Sequence, residues 1–400
     1  MPLHPDPRHQ TGAHADGDFS LVLGGPLYRL MARARLLRPP LELLHRRMLL
    51  VTAVCWLPLL VLGLAEAGSR GAVRVPFLFD IETHARFLVA LPVLVWSELL
   101  VHVRLQEVVQ QFRERAIIPT AALADFQAVI DRTMRLRDSM AVELALLVLV
   151  FTVGPWTWQS AQALLTQTWY ASADAGQVQL SRAGWWLVHV SVPLFQFLLL
   201  RWYFRLLVWW RFLWQVSRLP LDLRASHPDR SGGLGFLGDT ATGFAALLFA
   251  QGVLLSGMIA SRIWFDGRSA LEFRGEIVVL VIVMVAMILG PLLFFMAAMA
   301  QARRAGLRRY GAFASAFVHE FDRKWIDGAA PTEPVVGSPD VSSLADLGGS
   351  VAVVREMKVV PVERWTVLQL VAATALPFLP LVFTVLPLTE LVNRVFQALL

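Results

Sequence analysis

Seven blocks of nearly continuous apolar residues, each about long enough to cross a bilayer, restrict this chain more than any other feature. An α-helix needs about 20 apolar residues to traverse roughly 30 Å of hydrocarbon. Residues 48–64, 87–103, 141–158, 185–209, 241–263 and 277–300 suit that requirement. Residues 365–388 suit it too, with Pro377, Pro380 and Pro387 inside. Those prolines predict a kink in the last block or its division into a re-entrant pair. The expected fold is an all-α polytopic membrane helix bundle of six or seven spans with helical cytoplasmic loops. Composition agrees: only 16% of residues are charged and 56% are hydrophobic, whereas an average soluble domain carries about 25% charge.

Charge placement sets the expected orientation. Segments 1–47, 104–138, 201–240 and 301–364 hold 28 of the 36 Lys and Arg residues, and everything else holds 8. Cytoplasmic loops carry the excess of basic residues, so the amino terminus and these loops are expected in the cytoplasm. Ala65-Glu66-Ala67 resembles a signal-peptide cleavage site. However, 47 residues precede that apolar block, and a signal h-region runs about 7–15 residues, so the block is expected to remain as a span.

The net charge of +6 does not call for nucleic acid, because the basic residues gather at the ends of apolar blocks rather than on one soluble face. The partner it implies is the lipid bilayer. A second copy of the chain and a cytoplasmic protein remain open as further partners. Cys55 is the only cysteine, which excludes an intrachain disulfide and any zinc site built on cysteine pairs. Trp156, Trp158, Trp169, Trp185 and Trp186 flank one side of the spans, and Trp202, Trp209, Trp210 and Trp214 the other, the pattern of two aromatic belts.

Residues 1–47 are expected as a cytoplasmic tail and an amphipathic segment. Residues 1–20 are polar, with His4, His9 and His14, and 21–47 mix leucine with arginine as a helix lying on the membrane surface would. A membrane domain follows over 48–300, with cytoplasmic loops at 104–140 and 210–240. Apolar spacing predicts a helix hairpin broken near Pro119 in the first of these. Residues 301–364 form a cytoplasmic helical segment, and 365–400 the kinked last span and C-terminal end. Ser338-Pro339-Asp340 predicts a helix start. Leu344, Leu347, Val351, Val354 and Met357 then form a face that ends at Pro361. No internal repeat of the kind found in many secondary transporters is visible.

Three groups of residues can carry chemistry. His227-Pro228-Asp229-Arg230-Ser231-Gly232-Gly233-Leu234-Gly235-Phe236-Leu237-Gly238 contains G-x-G-x-x-G, but no strand precedes it, so a dinucleotide site fails its context. Free amides of Gly232, Gly233 and Gly235 beside Arg230 would suit an anion or lipid head group. A tight turn with Asp239 capping the next helix is the competing reading. His227, Asp229, His319 and Asp322, with Glu320 and Asp340 nearby in sequence, are candidate metal ligands, although their spacing matches no established ligand pattern. No pattern calls for a cofactor, and no P-loop or G-x-S-x-G motif is present.

The third group lies inside the apolar blocks, where charge is costly and needs a partner or a water path. Glu98 and His102 share one helical face, as do Arg201 and Arg205. From the helical rise, Glu98 sits roughly 8 Å and Glu143 roughly 5 Å inside the cytoplasmic ends of their spans. The arginines arrive at a comparable level, which predicts interhelical pairing at one depth. The pairing serves either an ion or anion pathway or simple registration of the helices. A channel or transporter with a polar site in the cytoplasmic half is the leading function. A sensor or scaffold that binds a protein through its loops, and a membrane enzyme acting on lipid head groups, are the alternatives.

The glycine-rich string, together with His319-Glu320-Phe321-Asp322-Arg323-Lys324-Trp325, Gly337-Ser338-Pro339-Asp340 and Ser343-Leu344-Ala345-Asp346-Leu347, resembles the signature of a family of uncharacterised bacterial polytopic inner-membrane proteins. The likeness covers roughly residues 200–390 and includes the proline-rich last span. It implies a shared fold and nothing more, and it brings no activity.

Overall fold

The computed structural model describes residues 19–25, 44–67, 75–162, 168–174, 177–327 and 337–385, with backbone alone for 67, 153–162, 172–174, 177, 178 and 385. Nine helices dominate the described residues, and a two-stranded hairpin, β1 (Ala171–Asp174) and β2 (Gln177–Leu180), is the only sheet among them. The helices are α1 (Leu44–Ala67), α2 (Ile81–Glu114), α3 (Leu123–Arg137), α4 (Met140–Gln162), α5 (Arg182–Val216), α6 (Gly235–Asp266), α7 (Ala270–Trp325), α8 (Pro339–Arg355) and α9 (Arg364–Thr384). Six of them, α1, α2, α5, α6, α7 and α9, are long and apolar enough to cross a membrane. The block at 141–158 is helical as well, within α4. The chain is an integral membrane protein built as an all-α bundle.

Proline shapes several spans, and the neighbours answer it. Pro58 in α1 lacks an amide hydrogen, so the carbonyl of Val54 loses its helical partner. The indole Nε1 of Trp186 donates to that oxygen at 3.1 Å. The same arrangement recurs in α7, where Pro291 frees the carbonyl of Met287 and Trp210 Nε1 donates to it at 2.8 Å. In α2 and α5 a π-turn, Ala85–Ala90 and Leu187–Ser191, immediately precedes the stretch whose second residue is Pro92 or Pro193. Such turns absorb a residue that the regular ladder cannot pair. The expected break in the last span is a short 3-10 turn over Leu376–Phe378, after which the helix resumes. It is therefore kinked rather than divided over the described residues. Pro387 lies outside them.

The core runs between α2 and α5. Phe87, Leu91, Leu94 and Leu105 share one buried cluster with Phe195, Trp202, Leu206 and Phe212, and the Phe87 and Phe195 rings lie 6.2 Å apart. On the other side of α2, α6 approaches closely through glycine. A Cβ at Gly252 would run into the carbonyl oxygen of Thr374 on α9, and one at Gly257 would lie 2.6 Å from the Ala85 Cβ. The outward faces are apolar: Val278, Val279 and Ile282 of α7 and Leu144, Val148 and Phe151 of α4 are all more than half exposed, as lipid-facing residues are.

One end of the bundle is marked by Arg47 and the other by Asp80. At the Asp80 end, the Asp80 carboxylate caps the first turn of α2, accepting from Thr83 N and Thr83 Oγ1, and it also accepts from Trp169 Nε1 at 2.8 Å. Burial, reinforced by Asp80, pushes the neighbouring Tyr170 hydroxyl up to about 12. At the Arg47 end, α2 breaks beyond Glu114. Ala116 takes a positive φ of 50° and α3 folds back, so the hairpin expected near Pro119 is present. Phe112 and Phe126 close that hairpin with ring centroids 5.7 Å apart.

Several expectations need correction. Trp202 and Trp209 are buried in the core, not placed in a belt, and Trp169 is buried too, whereas Trp185 and Trp214 are exposed as a belt requires. Trp156 and Trp158 have side chains outside the described set. Residues 19–22 and Gly25 are buried against the bundle, with Leu23 and Gly24 half-buried, rather than lying on the membrane surface or trailing from it. The rest of the expected amphipathic segment before Leu44, and His4, His9 and His14, lie outside the described residues. Helix α8 starts as expected, with Ser338 Oγ accepting from Asp340 N at 3.2 Å, but it ends at Arg355, six residues before Pro361. Leu344, Leu347 and Val351 are only half-buried, and Val354 and Met357 alone of that face are buried.

Candidate functional site

The densest buried charge lies at one level near the Arg47 end, carried by four helices. Glu98 of α2 sits between two guanidinium groups. Arg205 Nη1 of α5 donates to its Oε1 at 2.8 Å, and Arg47 Nη2 of α1 meets its Oε2. One turn up α5, Arg201 Nε lies 3.4 Å from Glu143 Oε1 of α4. Glu98 is 3% exposed and Arg205 5%, so these charges are held by each other and not by bulk water. The face of the Trp202 ring lies 5.0 Å from the Arg205 guanidinium and adds a cation–π contact.

Helical spacing explains the convergence. Glu98 follows Leu94, whose carbonyl accepts from Trp202 Nε1 at 2.9 Å. That bond fixes α2 against α5, so that the next turn of each presents an acid to a base. His102 lies one turn beyond Glu98 and is 3% exposed. Among the described residues, its Nδ1 meets no hydrogen-bond partner.

Residues 19–25 meet the layer through Arg201 and the neighbouring Arg137 and Asp138. Arg201 Nη2 donates to the Gly24 carbonyl at 3.3 Å, and the Gly25 amide donates to Asp138 Oδ1 at 2.8 Å. Arg137 bonds both Asp138 and the Ser20 carbonyl. Sequence reasoning brought together Glu98, Glu143, Arg201 and Arg205 but missed Arg47, which it counted as the last residue of a tail. Its position directly before an apolar block is the signal that could have found it. Nothing in residues 19–25 announces burial except their composition, Phe-Ser-Leu-Val-Leu-Gly-Gly.

The glycine-rich loop is built around its own acid. The Asp229 carboxylate accepts from the amides of Ser231 at 2.8 Å, Gly233 at 3.1 Å and Gly235 at 2.9 Å, and His227 Nδ1 lies 2.8 Å away. Burial raises the Asp229 pKa, but the three amides and His227 outweigh it and hold the group below the usual carboxylate range. The amides of Gly233 and Gly235, expected to await an external anion, therefore already serve an internal one. Gly232 and Gly233 adopt positive φ of 67° and 99°, as the turn reading requires. Arg230 pairs with Glu356 at 2.8 Å. The cap is Asp229, not Asp239, which lies exposed within the first turns of α6.

The four candidate metal ligands do not converge. His227 and Asp229 touch, but His319 and Asp322 lie on α7 about 20 Å beyond Gly306, the residue that packs on Ala225 beside the loop. Among the described residues, no group of three or more His, Cys, Asp or Glu side chains is placed to hold a metal ion.

Comparison of the chain with protein-family models, with curated proteins and with solved structures finds no match. The resemblance to a family of uncharacterised membrane proteins thus rests on its strings alone.

Proposed function

We propose that this integral membrane protein is a channel or transporter of the bacterial inner membrane, and that the layer formed by Arg47, Glu98, Glu143, Arg201 and Arg205 is its polar site. The observation that carries the reading is the double partnership of Glu98. A carboxylate held between guanidinium groups on two different helices can release one while keeping the other, so α1 and α5 can shift relative to α2 without leaving the carboxylate unpaired. Alternating arrangements of this kind are what passage of a solute through a bundle requires. Buried ion pairs rarely add net stability over apolar packing, so stability alone is a weak reason for five charged groups at one depth. The clustering of 28 of 36 basic residues in four segments supports a cytoplasmic location for the Arg47 end and the amino terminus.

The test is flux across proteoliposomes under potassium, proton, chloride and phosphate gradients. Glu98→Gln and Arg201→Gln should each abolish a flux the parent protein supports, while monodisperse behaviour in detergent is retained. Full flux in both variants would remove the site from the pathway.

A scaffold role is the second reading, favoured by the α7–α8 hairpin. Helix α7 runs on to Trp325 with Phe313 60% and Ile326 69% exposed. Under that reading Phe313→Ser abolishes partner capture and leaves the Glu98 variants silent.

A further inference from the structure

We propose that residues 19–25 are a strap that closes the ion-pair layer to water at the Arg47 end and opens to admit solute. The consequence for transport rests on the reading above; the strap itself does not. Its anchoring is of two kinds. Phe19, Leu21 and Val22 are 4%, 2% and 2% exposed, and the Phe19 ring lies 5.0 Å from Phe212 of α5. The polar half is the Gly24–Gly25 peptide unit together with the Ser20 carbonyl, which Arg137 bonds. The Gly24 carbonyl accepts a hydrogen bond from Arg201, and the Gly25 amide donates one to Asp138.

That peptide unit occupies ground a solute would need, because Arg201 is also the partner of Glu143. A Cβ on Gly25 would lie 2.7 Å from Glu143 Oε1, so the strap backbone lies directly on the acid. Only glycine fits there. Gly25 has φ +89° and Gly24 φ +154°, and a Cβ on Gly24 would run into the Arg137 guanidinium.

The attachment is also suited to release. A short internal turn, with Ser20 Oγ accepting from Val22 N at 3.1 Å and Leu23 N at 2.8 Å, lets the segment keep its own shape when it leaves. A segment outside helix and strand, held by the buried side chains of Phe19, Leu21 and Val22 and a few bonds to side chains of other elements, opens locally before the helices it packs on. Residues 19–25 thus present Arg201 and Glu143 with a neutral peptide in place of a solute.

The experiment uses the full chain in nanodiscs with Cys55→Ser, which removes the only native thiol. Leu198→Cys places a reporter at a buried position one turn from Arg201, and N-ethylmaleimide is the probe. The strap is released in two independent ways, by Gly24→Ala/Gly25→Ala and by Phe19→Asp. Labelling of the reporter should quicken at least about tenfold in both, which corresponds to about 1.4 kcal/mol, the penalty of one left-handed alanine.

Each variant is scored only if it elutes as the parent does, and the second keeps the test alive should the first misfold. Equal labelling rates in the released and parent proteins overturn the strap, whatever the flux assay gives. Strap-dependent labelling without flux of potassium, protons, chloride or phosphate in any variant keeps the strap and removes the transport reading.

Discussion

The indole of Trp210 donates to the carbonyl of Met287, the oxygen that Pro291 leaves without a helical amide. A proline in a lipid-spanning helix exposes a backbone acceptor that water cannot satisfy, and here the donor comes from the neighbouring span. Trp210→Phe should therefore destabilise the protein by about 1–3 kcal/mol, the usual penalty of an orphaned buried acceptor. In a Pro291→Ala background, where the amide returns, the same substitution should have much less effect. Thermal aggregation midpoints of the four proteins complete the cycle, and additive effects would refute the pairing.

Glu98 offers a second cycle. Glu98→Gln leaves two guanidinium groups facing a neutral amide in a buried setting, which typically costs about 3–5 kcal/mol. Adding Arg205→Leu to that variant should recover part of the loss, since one uncompensated charge departs. Retained fraction folded after heating in detergent is the measurement. A double variant less stable than Glu98→Gln alone would contradict the arrangement.

Asp229 makes the loop that opens α6 sensitive to acid. Its folded pKa is depressed, so the stabilisation it provides is present above the ordinary carboxylate pKa and is lost as pH falls through the lower folded value. Asp229→Asn keeps one acceptor oxygen where three amides need service and should cost about 1–3 kcal/mol at neutral pH. Amide hydrogen exchange at Ser231, Gly233 and Gly235 should rise in this variant and in the parent protein under acid. Unchanged protection would count against the cap.

Glycine substitutions separate close packing from idle flexibility. Gly252→Ala should drive α6 away from the Thr374 carbonyl and cost about 1–3 kcal/mol. Gly348→Ala and Gly349→Ala in α8 meet nothing within 4 Å and should stabilise that helix by about 0.5–1 kcal/mol each. Thermal midpoints of the three variants decide it. Equal losses at all three positions would mean that α6 and α9 do not meet at Gly252.

The number and type of spans were legible because lipid imposes a length and a composition that sequence displays directly. That Glu98, Glu143, Arg201 and Arg205 share one depth was legible too, since helical rise turns residue number into depth once orientation is assumed, but which acid meets which arginine was not. What sequence did not display is lateral. Which face of α5 turns inward decides whether Trp202 and Trp209 are belt or core, and only the face shared by Arg201 and Arg205 marks it, since apolar residues occupy most of the rest of the helix. The Asp229 cap was hidden for a different reason. A carboxylate that serves three amides in a turn is chosen by backbone dihedrals at Arg230, Gly232 and Gly233, and spacing alone offered Asp239 as readily.

Helix α7 has a mechanical consequence. It continues from Ala270 to Trp325 as 56 residues, with α8 folded back along it and joined near its far end, where Lys324 and Trp325 both bond the Asp340 carboxylate. The part beyond Pro291 is a lever about 50 Å long. A rotation of five degrees at the 3-10 turn Gly290–Phe295 would swing its tip by about 4 Å. Force applied at Trp325 from outside the bilayer thus has a stiff route into the lipid-embedded part of the molecule, and its pivot is the turn that the Trp210 indole holds.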